Sequence, residues 1–306
     1  MTGTTSLDPI AGADGRIAVL AMDQRGSLRR MLADGGQPAE DADLVAFKLD
    51  VIGTLSPAAT GVLTDVEYGV GPVRDAGALA EGVGLLIAAE PAQKQTWNGE
   101  QRTVVDPRRD AAWVRANGGD ALKFLLYWRP DRPARPGEPD LAAEAVDAVR
   151  TVVEDCRAAG LPSVIEPLIT TLPGAPKPVG QLRKDLVIAS AARLAELGPD
   201  LLKLEWPGDE GGCRELTYVT GRVPWALLSA GVEYEEFLER TRVALDAGAC
   251  GFIAGRAIWG ETTAMAPSQR REFLREVSLP RLQRLVALLG EHGRGWADGA
   301  REEVGT

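Results

Sequence analysis

Residues 199–208 read PDLLKLEWPG, and within them the stretch 201–206 looks like a buried strand that carries an ammonium and a carboxylate. Side chains alternate between the two faces of a strand, so the apolar residues at even positions share one face while Lys203 and Glu205 share the other. We expect the apolar face to pack against helices, which turns the two charged side chains towards the interior of a closed sheet. The pattern therefore predicts a barrel whose interior carries chemistry.

Short apolar runs recur along the chain and alternate with stretches of helical period. They predict eight strands, at residues 17–23, 60–65, 83–90, 121–127, 163–168, 201–206, 225–230 and 251–256. Strand–helix alternation is typical of parallel strands covered by helices, and eight units indicate closure into a (β/α)8 TIM barrel of the α/β class. An open, doubly wound sheet is disfavoured, because no G-x-G-x-x-G follows the first strand. We expect one domain over residues 1–306, with an irregular segment at residues 1–14.

Composition narrows the possible functions. The chain has 306 residues and a formal net charge of −10, without a Lys/Arg-rich block, so no nucleic-acid partner is expected. No apolar run has the length of a membrane span, and three scattered cysteines fit a reducing compartment, so we expect a cytoplasmic protein without a membrane partner. His292 is the only histidine, which argues against a zinc site built on histidines and against a histidine-based triad. We therefore expect neither a metal ion nor a cofactor.

Three neighbouring strands of the predicted barrel direct ionisable side chains to a shared interior. The alternation in ALKFLLY turns Lys123 inward, and that in SVIEPL turns Glu166 inward, next to Lys203 of the following strand. Glu205, on the same face as Lys203, is expected to be its partner. One interpretation of this group is a buried salt-bridge network that fixes the packing of the barrel.

A catalytic interpretation is favoured, because the chain has only six lysines and two of them lie where leucine would pack better. A desolvated lysine beside a second cation loses proton affinity, and a neutral amine forms a Schiff base with a carbonyl. The iminium then withdraws electrons from an adjacent carbon–carbon bond, with Glu166 as the proton carrier.

Glycine-containing turns follow the last two predicted strands, with SAG at residues 229–231 and AGR at residues 254–256. Barrels of this class often bind a phosphate on backbone N–H groups after strands seven and eight, where glycine permits close approach and an arginine adds positive charge. Ordinary turns with a surface arginine are the alternative. The tripeptides at residues 229–231 and 254–256, with Arg256 as the cation, are therefore candidates for binding a phosphate.

Polar residues also end the first two strands. In AMDQRGS, Asp23 ends strand one, and Gln24 and Arg25 follow it. A helix cap with a solvated arginine is one interpretation. In the other, Asp23 lies near hydroxyl groups at the reacting carbons, and Arg25 binds a second anionic group. Asp65, at the end of strand two, is a further candidate for substrate binding.

A set of motifs, spread in order from about residue 15 to about residue 290, resembles one known family. The motifs are LAMDQRGSLRRML, VLTDVEYG, GGDALKFLLYW, SVIEPL, LLKLEWP, LLSAGV and GFIAGRAIW. Together they resemble the class I tagatose-1,6-bisphosphate aldolases and the related 6-deoxy-6-sulfofructose 1-phosphate aldolases. The resemblance implies a metal-free (β/α)8 aldolase that yields dihydroxyacetone phosphate.

Transferred position by position, the resemblance gives the interior residues their roles. It implies that Lys203 forms the Schiff base, that Glu166 is the acid/base carboxylate and that Lys123 lies beside it. It also implies that Asp23 and Gln24 contact hydroxyl groups of the substrate. The resemblance further implies that four residues after strands seven and eight hold the phosphate next to the carbonyl, namely Ser229, Gly231, Gly255 and Arg256.

The motifs diverge at the far end of the substrate, where the resemblance places Arg25. The stretch PGDEGGCRELTYVTGRVPW after strand six has a length that resembles the sulfo-sugar enzymes, whereas DQRGSL and DVEYG look more like the bisphosphate enzymes. We expect a carbon–carbon lyase that cleaves tagatose 1,6-bisphosphate, or a similar ketohexose bisphosphate, to dihydroxyacetone phosphate and glyceraldehyde 3-phosphate.

Two rivals remain at this point. One is the same mechanism on 6-deoxy-6-sulfofructose 1-phosphate, releasing 3-sulfolactaldehyde, and the other is a non-catalytic barrel that senses sugar phosphates. The expected partners are a sugar phosphate substrate and, in a homo-oligomer of unspecified order, further copies of the chain.

Overall fold

All eight predicted strands are present in the structure, a computed structural model that describes residues 5–298. They are β1 (Ile17–Met22), β2 (Gly61–Thr64), β3 (Gly84–Ala88), β4 (Ala121–Trp128), β5 (Ser163–Ile169), β6 (Leu201–Leu204), β7 (Trp225–Leu228) and β8 (Gly251–Ala254). Neighbouring strands are parallel, and β1 closes the sheet by pairing with both β2 and β8. The prediction of a (β/α)8 barrel is confirmed.

Helices connect the strands and pack on the outside of the sheet. They are α1 (Gly26–Asp34), α2 (Asp41–Leu55), α3 (Val70–Asp75), α4 (Ala111–Ala116), α5 (Leu141–Ala159), α6 (Gly180–Ala195), α7 (Glu210–Thr220), α8 (Tyr234–Asp246), α9 (Arg256–Trp259), α10 (Pro267–Phe273) and α11 (Leu279–His292), with a π-helical turn at Leu274–Ser278 between the last two. None of the helices between residues 5 and 298 is long and apolar enough to cross a membrane.

Helix α5 illustrates how local sequence sets these boundaries. The side chain of Asp140 accepts a hydrogen bond from the N–H of Ala143 and so caps the first turn. At the other end, Gly160 adopts a left-handed conformation with φ of 64°, which ends the helix at little steric cost.

Apolar side chains form two layers, one on each side of the sheet. The inner layer fills the barrel and includes Val19, Leu63, Leu86, Val164 and Leu201. The outer layer lies between the strands and the helices and includes Leu20, Val62, Leu122, Ile165 and Leu202. Consecutive residues of a strand thus belong to different layers, which confirms the alternation expected from the sequence.

The N-terminal segment closes the bottom of the barrel. Leu7 and Ile10 are buried against the inner layer, and the residues Asp8–Ile10 form a single turn of 3-10 helix in the segment predicted to be irregular. At Gly84, where β3 begins, an added Cβ would lie 2.0 Å from the carbonyl oxygen of Pro9, so this glycine lets the segment cross the strand. The start of the segment lies outside the described residues.

Several strand ends and one connection differ from the prediction. Strands β3, β6, β7 and β8 each end two residues earlier than expected. In the connection between β3 and α4, residues Gln95–Trp97 and Glu100–Arg102 form an antiparallel hairpin, joined by Asn98 with φ of 47° and Gly99 with φ of 79°. Asn-Gly is the preferred pair for such a tight turn, so the sequence did contain this signal.

Candidate active site

A cavity of about 470 Å³ opens at the rim where the strands end. This rim is the C-terminal end of the strands, where the active sites of such barrels lie. Most of the side chains predicted to carry chemistry line the cavity together. They are Asp23, Gln24, Arg25, Lys123, Glu166, Lys203 and Arg256.

Strand alternation is what delivers the charged side chains to this cavity. Leu201 belongs to the inner layer of the barrel, and Lys203 follows it on the same face. Val164 and Glu166 have the same relationship on β5. The inward face of each strand is therefore apolar at depth and polar at the rim, so the chemistry is placed directly above a packed core.

Glu166 joins the two lysines. Its Oε1 lies 2.9 Å from Nζ of Lys203, and its Oε2 lies 2.9 Å from Nζ of Lys123. The three side chains are nearly excluded from solvent, with residue exposures of 7%, 5% and 0% for Glu166, Lys203 and Lys123. The buried salt bridges considered from the sequence are therefore real, and they occur in the same cavity that the catalytic interpretation requires.

Lys123 is surrounded by carboxylates. Its Nζ lies 2.9 Å from Glu166, 3.0 Å from Asp23 and 3.2 Å from Glu90. Burial alone would lower the pKa of Lys123, but the negative charges of Glu166, Glu90 and Asp23 outweigh it and hold that pKa well above its usual value. Lys123 is therefore a cation in this site at neutral pH, and it loses its proton only at alkaline pH.

The same contacts keep two of the carboxylates ionised. Burial would raise the pKa of Glu166, but the ammonium groups of Lys123 and Lys203 lower it below its usual value. For Asp23, too, burial acts upward on the pKa, and Lys123 followed by Lys203 brings it well below the usual range. At neutral pH the cavity thus holds Glu166 as a carboxylate, which is the form that can act as a base.

Arg25 lines the cavity with its charge already compensated. Its guanidinium lies 3.1 Å from Glu90 and 3.3 Å from Glu67, and Glu67 also pairs with Arg109 at 2.6 Å. Burial would lower the pKa of Arg25, but Glu90 and Glu67 raise it. The role predicted from the sequence, contact with a second anion of the substrate, requires Arg25 to share or exchange these carboxylates.

Gln24 also lines the cavity, and it offers an acceptor. Its side-chain Oε1 is buried and has no hydrogen-bond partner among residues 5–298. Its backbone carbonyl accepts a hydrogen bond from Lys48 at 2.8 Å, which fixes this part of the loop after β1. An unpartnered amide oxygen beside the lysines is suited to a hydroxyl donor, as predicted for Gln24.

The four residues predicted to bind phosphate come together after β7 and β8. The N–H of Gly255 donates to Oγ of Ser229 at 3.4 Å, and Arg256 donates to the carbonyl of Ala230 at 3.2 Å. Gly231 has φ of 78°, and an added Cβ there would lie 3.0 Å from Cζ of Arg256. Of this group, Arg256 reaches the wall of the cavity and so connects the turns to the lysines.

Asp65, predicted to bind substrate, is not among the residues that line the cavity. Its carboxylate is fully buried, 2.6 Å from Nζ of Lys48, and accepts a hydrogen bond from the N–H of Tyr68 at 2.9 Å. Asp65 does lie at the end of a strand, as the sequence indicated. However, β2 ends beside α2, and the carboxylate of Asp65 turns towards Lys48 of that helix.

Glu205 also has partners other than the one expected. It pairs with Arg183 and accepts the N–H of Ile169 at 3.1 Å, instead of contacting Lys203. The reason is that β6 ends at Leu204, so the alternation of the strand no longer governs the next side chain. Burial raises the pKa of Glu205, although Arg183 opposes this effect.

Glu90 and Lys94, which are not among the predicted site residues, also line the cavity. Glu90 lies two residues beyond the end of β3, after the inward-facing Leu86 and Ala88, and its side chain faces the cavity. Lys94 lies on the loop after β3, with Nζ 4.1 Å from the centre of the Tyr127 ring, and no sequence pattern fixed its place. Within residues 5–298, no group of three or more His, Cys, Asp and Glu side chains is arranged to hold a metal ion.

Comparison with known proteins places this site in a family. A model of the DeoC/LacD family aldolases matches residues 17–261, which is most of the chain. The chain belongs to the DeoC/LacD aldolase family. It is accordingly an aldolase, a carbon–carbon lyase, and the resemblance read from its motifs is confirmed at this level.

Curated relatives align with nearly the whole chain. A tagatose 1,6-diphosphate aldolase of Listeria monocytogenes is 30% identical, over 95% of this chain and 92% of that protein. One from Streptococcus agalactiae is 26% identical, over 95% of this chain and 97% of that protein. This aldolase is therefore similar to them along its full described length.

Solved structures share the barrel. An archaeal fructose-1,6-bisphosphate aldolase, with its catalytic lysine covalently bound to the carbinolamine intermediate of the substrate, aligns with a TM-score of 0.61. Its identity is 21%, and the alignment covers 91% of this chain and 96% of that chain. At this identity the likeness shows the fold of the aldolase.

Proposed function

We propose that this aldolase works through a Schiff base on Lys203 and that its substrate is tagatose 1,6-bisphosphate. One observation carries the proposal, namely the Glu166 carboxylate that lies 2.9 Å from both Lys203 and Lys123 inside the cavity. The names of the curated relatives support the substrate. The archaeal enzyme of the same fold supports the covalent lysine, because its own catalytic lysine is bound to a carbinolamine.

The first stage forms the iminium. Glu166, which is ionised, takes a proton from the Lys203 ammonium, and the neutral amine attacks the carbonyl carbon of the sugar. The product is a carbinolamine. Protonated Glu166 returns the proton to the carbinolamine hydroxyl, which leaves as water, and the nitrogen of Lys203 becomes a positively charged iminium.

The second stage breaks the carbon–carbon bond. Glu166, again a carboxylate, removes the proton of the C4 hydroxyl, and the electrons of the C3–C4 bond move to the iminium and give an enamine. Glyceraldehyde 3-phosphate leaves as the aldehyde. A proton returned to C3 converts the enamine to an iminium, and water then releases dihydroxyacetone phosphate and the free lysine.

The other residues of the cavity bind and orient the substrate. Lys123 remains charged and stabilises the negative charge that Glu166 carries between proton transfers. Asp23 and Gln24 face the hydroxyl groups of the sugar. The turns at Ser229 and Arg256 receive the phosphate next to the carbonyl, as glycine-rich turns after the last two strands of such barrels do.

The same mechanism on 6-deoxy-6-sulfofructose 1-phosphate is the alternative. The length of the segment after β6 favours it, and a cation at the far end of the substrate attracts a sulfonate as well as a phosphate. The ratio of kcat/KM for the two sugars decides between them, and a value above one for tagatose 1,6-bisphosphate is expected.

The cytoplasm is the proposed location, since the cysteines Cys156, Cys213 and Cys250 are free and buried. The homo-oligomer stays a prediction.

Reduction of the Schiff base tests the mechanism directly. Incubation with dihydroxyacetone phosphate and borohydride is expected to convert the iminium to a secondary amine, and peptide mapping is expected to find the added mass on Lys203. Lys203→Ala should abolish the labelling. Lys123→Ala should only slow it, because Lys123 stabilises the negative charge of Glu166 and does not form the covalent bond to the substrate. Lys177→Ala, at an exposed loop position, is the control and should label like the parent.

Two results would contradict the proposal. Label on Lys123, with trapping retained in Lys203→Ala, would exchange the roles of the lysines. A parent protein that traps nothing, although it is folded and the phosphate is present in excess, would leave the Lys203–Glu166 contact as a structural salt bridge and would remove the Schiff base.

A further inference from the structure

Glu90, which lies on the loop after β3, reaches the charged side chains in the interior of the cavity. Its Oε1 contacts Nζ of Lys123 at 3.2 Å and the guanidinium of Arg25 at 3.1 Å. Its Oε2 accepts the N–H of Leu125, on β4, at 3.1 Å. With an exposure of 7% and every oxygen in contact with a donor, this carboxylate has a single orientation.

Glu90 is also one link in a row of charges that alternate in sign. The row begins at the outer end with an arginine and reaches the Schiff-base lysine through contacts of 3.3 Å or less. Its members, in order, are Arg109, Glu67, Arg25, Glu90, Lys123, Glu166 and Lys203. Each of the five inner charges is held between two of opposite sign, so the inner members are fixed by the outer ones.

The two lysines of the row are placed differently. Three carboxylates, from Asp23, Glu90 and Glu166, surround Lys123, and an ammonium group has three protons to give them. Within residues 5–298, Lys203 makes one ion pair, with Glu166. Lys123 is therefore locked in its contacts, whereas Lys203 needs to give up only one contact to become a nucleophile.

We propose that Glu90 is a positioning residue of the aldolase reaction, which fixes the charged Lys123 against Glu166 and so leaves Lys203 as the lysine that attacks. The inference rests on the proposed Schiff-base mechanism. In that mechanism Glu166 moves protons to and from the substrate, and its position is set by Lys123. Lys123 in turn keeps its position because Glu90, anchored by Arg25 and by the N–H of Leu125, holds it from the other side.

A comparison of Glu90→Gln with Glu100→Gln in the full chain tests this role. Glu100 is a matched control, because it is a buried glutamate with an exposure of 8% and it pairs with Arg132 at 2.8 Å instead of Lys123. In Glu90→Gln we expect kcat to fall about 10- to 100-fold, as for a displaced catalytic group, and KM to change by less than about threefold. In Glu100→Gln both constants should stay close to those of the parent.

The pH dependence of kcat separates positioning from mere support of the fold. Three carboxylates, on elements that follow or belong to β1, β3 and β5, face Lys123, and the ammonium of Lys203 lies on the far side of Glu166. Removal of one of these negative charges lowers the pKa of Lys123. The alkaline limb of the profile should therefore move to lower pH in Glu90→Gln and stay in place in Glu100→Gln.

Glu90→Asp keeps the charge and serves if Glu90→Gln does not fold. We expect a smaller loss of kcat and an alkaline limb close to that of the parent, because the carboxylate is retained but reaches Lys123 less well. Equal kcat values in Glu90→Gln and Glu100→Gln, or alkaline limbs that coincide, would overturn the proposal. Trapping of dihydroxyacetone phosphate on Lys203 in the parent checks the mechanism separately, so failure of the mechanism and failure of the Glu90 role give different results.

Discussion

Nζ of Lys48 lies 2.6 Å from Oδ2 of Asp65, and neither side chain is exposed to solvent. The same ammonium donates to the carbonyl oxygens of Met22 and Gln24, at 2.6 and 2.8 Å. One lysine of helix α2 therefore ties the end of β1 to the end of β2. Burial lowers the pKa of Lys48 and raises that of Asp65, and the attraction between the two partly opposes both shifts.

Loss of one partner of this pair should be costly. Asp65→Ala leaves the ammonium of Lys48 buried with only two carbonyl partners, and breaking a buried ion pair in this way typically costs about 3–5 kcal/mol of unfolding free energy. Urea denaturation measures the change. Because Asp65 lies outside the cavity, KM of the folded variant should stay near that of the parent.

The control for this measurement is Arg150→Ala, which removes one member of an exposed pair with Asp147 on α5. It should change the unfolding free energy very little, as exposed pairs contribute little. An Asp65→Ala protein as stable as Arg150→Ala would mean that Lys48 is satisfied without the carboxylate. A raised KM in Asp65→Ala would return Asp65 to the substrate site.

Arg25→Ala should reduce the rate equally for a substrate with one phosphate and for a substrate with two. Its guanidinium already meets Glu90 and Glu67, so its removal frees Glu90 and disturbs Lys123 whatever lies at the far end of the sugar. We expect kcat/KM for tagatose 1-phosphate and for the 1,6-bisphosphate to fall by a similar factor. A loss confined to KM of the bisphosphate would instead support the sequence prediction that Arg25 binds the far-end anion.

Lys94→Ala should discriminate between the same two substrates. Lys94 is exposed at the wall of the cavity, rests on the ring of Tyr127 and forms no ion pair with a carboxylate in the described part of the chain. A loss of binding of about tenfold, seen as a raised KM for the bisphosphate and not for tagatose 1-phosphate, is expected because only uniform binding of the far phosphate is removed. Equal effects on the two sugars would show that Lys94 does not bind that group.

Acid should weaken the fold through Glu166. Its pKa in the folded chain lies below the ordinary value of about 4.3, because Lys123 and Lys203 outweigh the effect of burial. Around and below this ordinary value, the unfolded chain binds more protons than the folded chain. The contribution of Glu166 to the unfolding free energy is therefore fully present above about pH 5, and it falls as the pH drops towards the pKa of Glu166 in the folded chain.

Urea denaturation between about pH 5 and pH 3 checks this dependence. Glu166→Gln should show a shallower decline than the parent, since one of the carboxylates responsible has been removed. Glu272→Gln, at an exposed position of α10, should decline as the parent does. Identical slopes in the parent and in Glu166→Gln would contradict the lowered pKa of Glu166.

The barrel and its lysines could be predicted because both depend on a local rule. Alternation along a strand of known direction fixes which side chains enter the barrel, and eight parallel strands fix which rim they share. Lys123, Glu166 and Lys203 needed nothing more than this rule, because each lies within its strand. Glu90 lies two residues beyond the end of β3, so the rule does not fix the direction of its side chain.

The remaining parts of the site depend on where strands end and how loops fold, which alternation does not determine. Asp65 and Glu205 lie beyond the last paired residue of β2 and β6, and each turns to a cation on a helix, Lys48 on α2 and Arg183 on α6. The position of Lys94 depends on the hairpin that follows it, whose Asn-Gly turn was present in the sequence.

Closure of the barrel joins β1 to β8, with Ile17 opposite Gly251, roughly 230 residues later in the chain. The strands emerge from the ribosome one after another. During synthesis, the edge of β1 that pairs with β8 therefore stays unpaired until the last strand of the barrel has emerged. Contacts of such long range form slowly, and an unpaired edge of this kind invites association with other chains. The strands that carry the two lysines, β4 and β6, lie on either side of β5 and are complete well before that moment, whereas Arg256 emerges only with β8. A nascent chain thus acquires Lys203, the proposed nucleophile, before it acquires Arg256, which is proposed to hold a phosphate beside it.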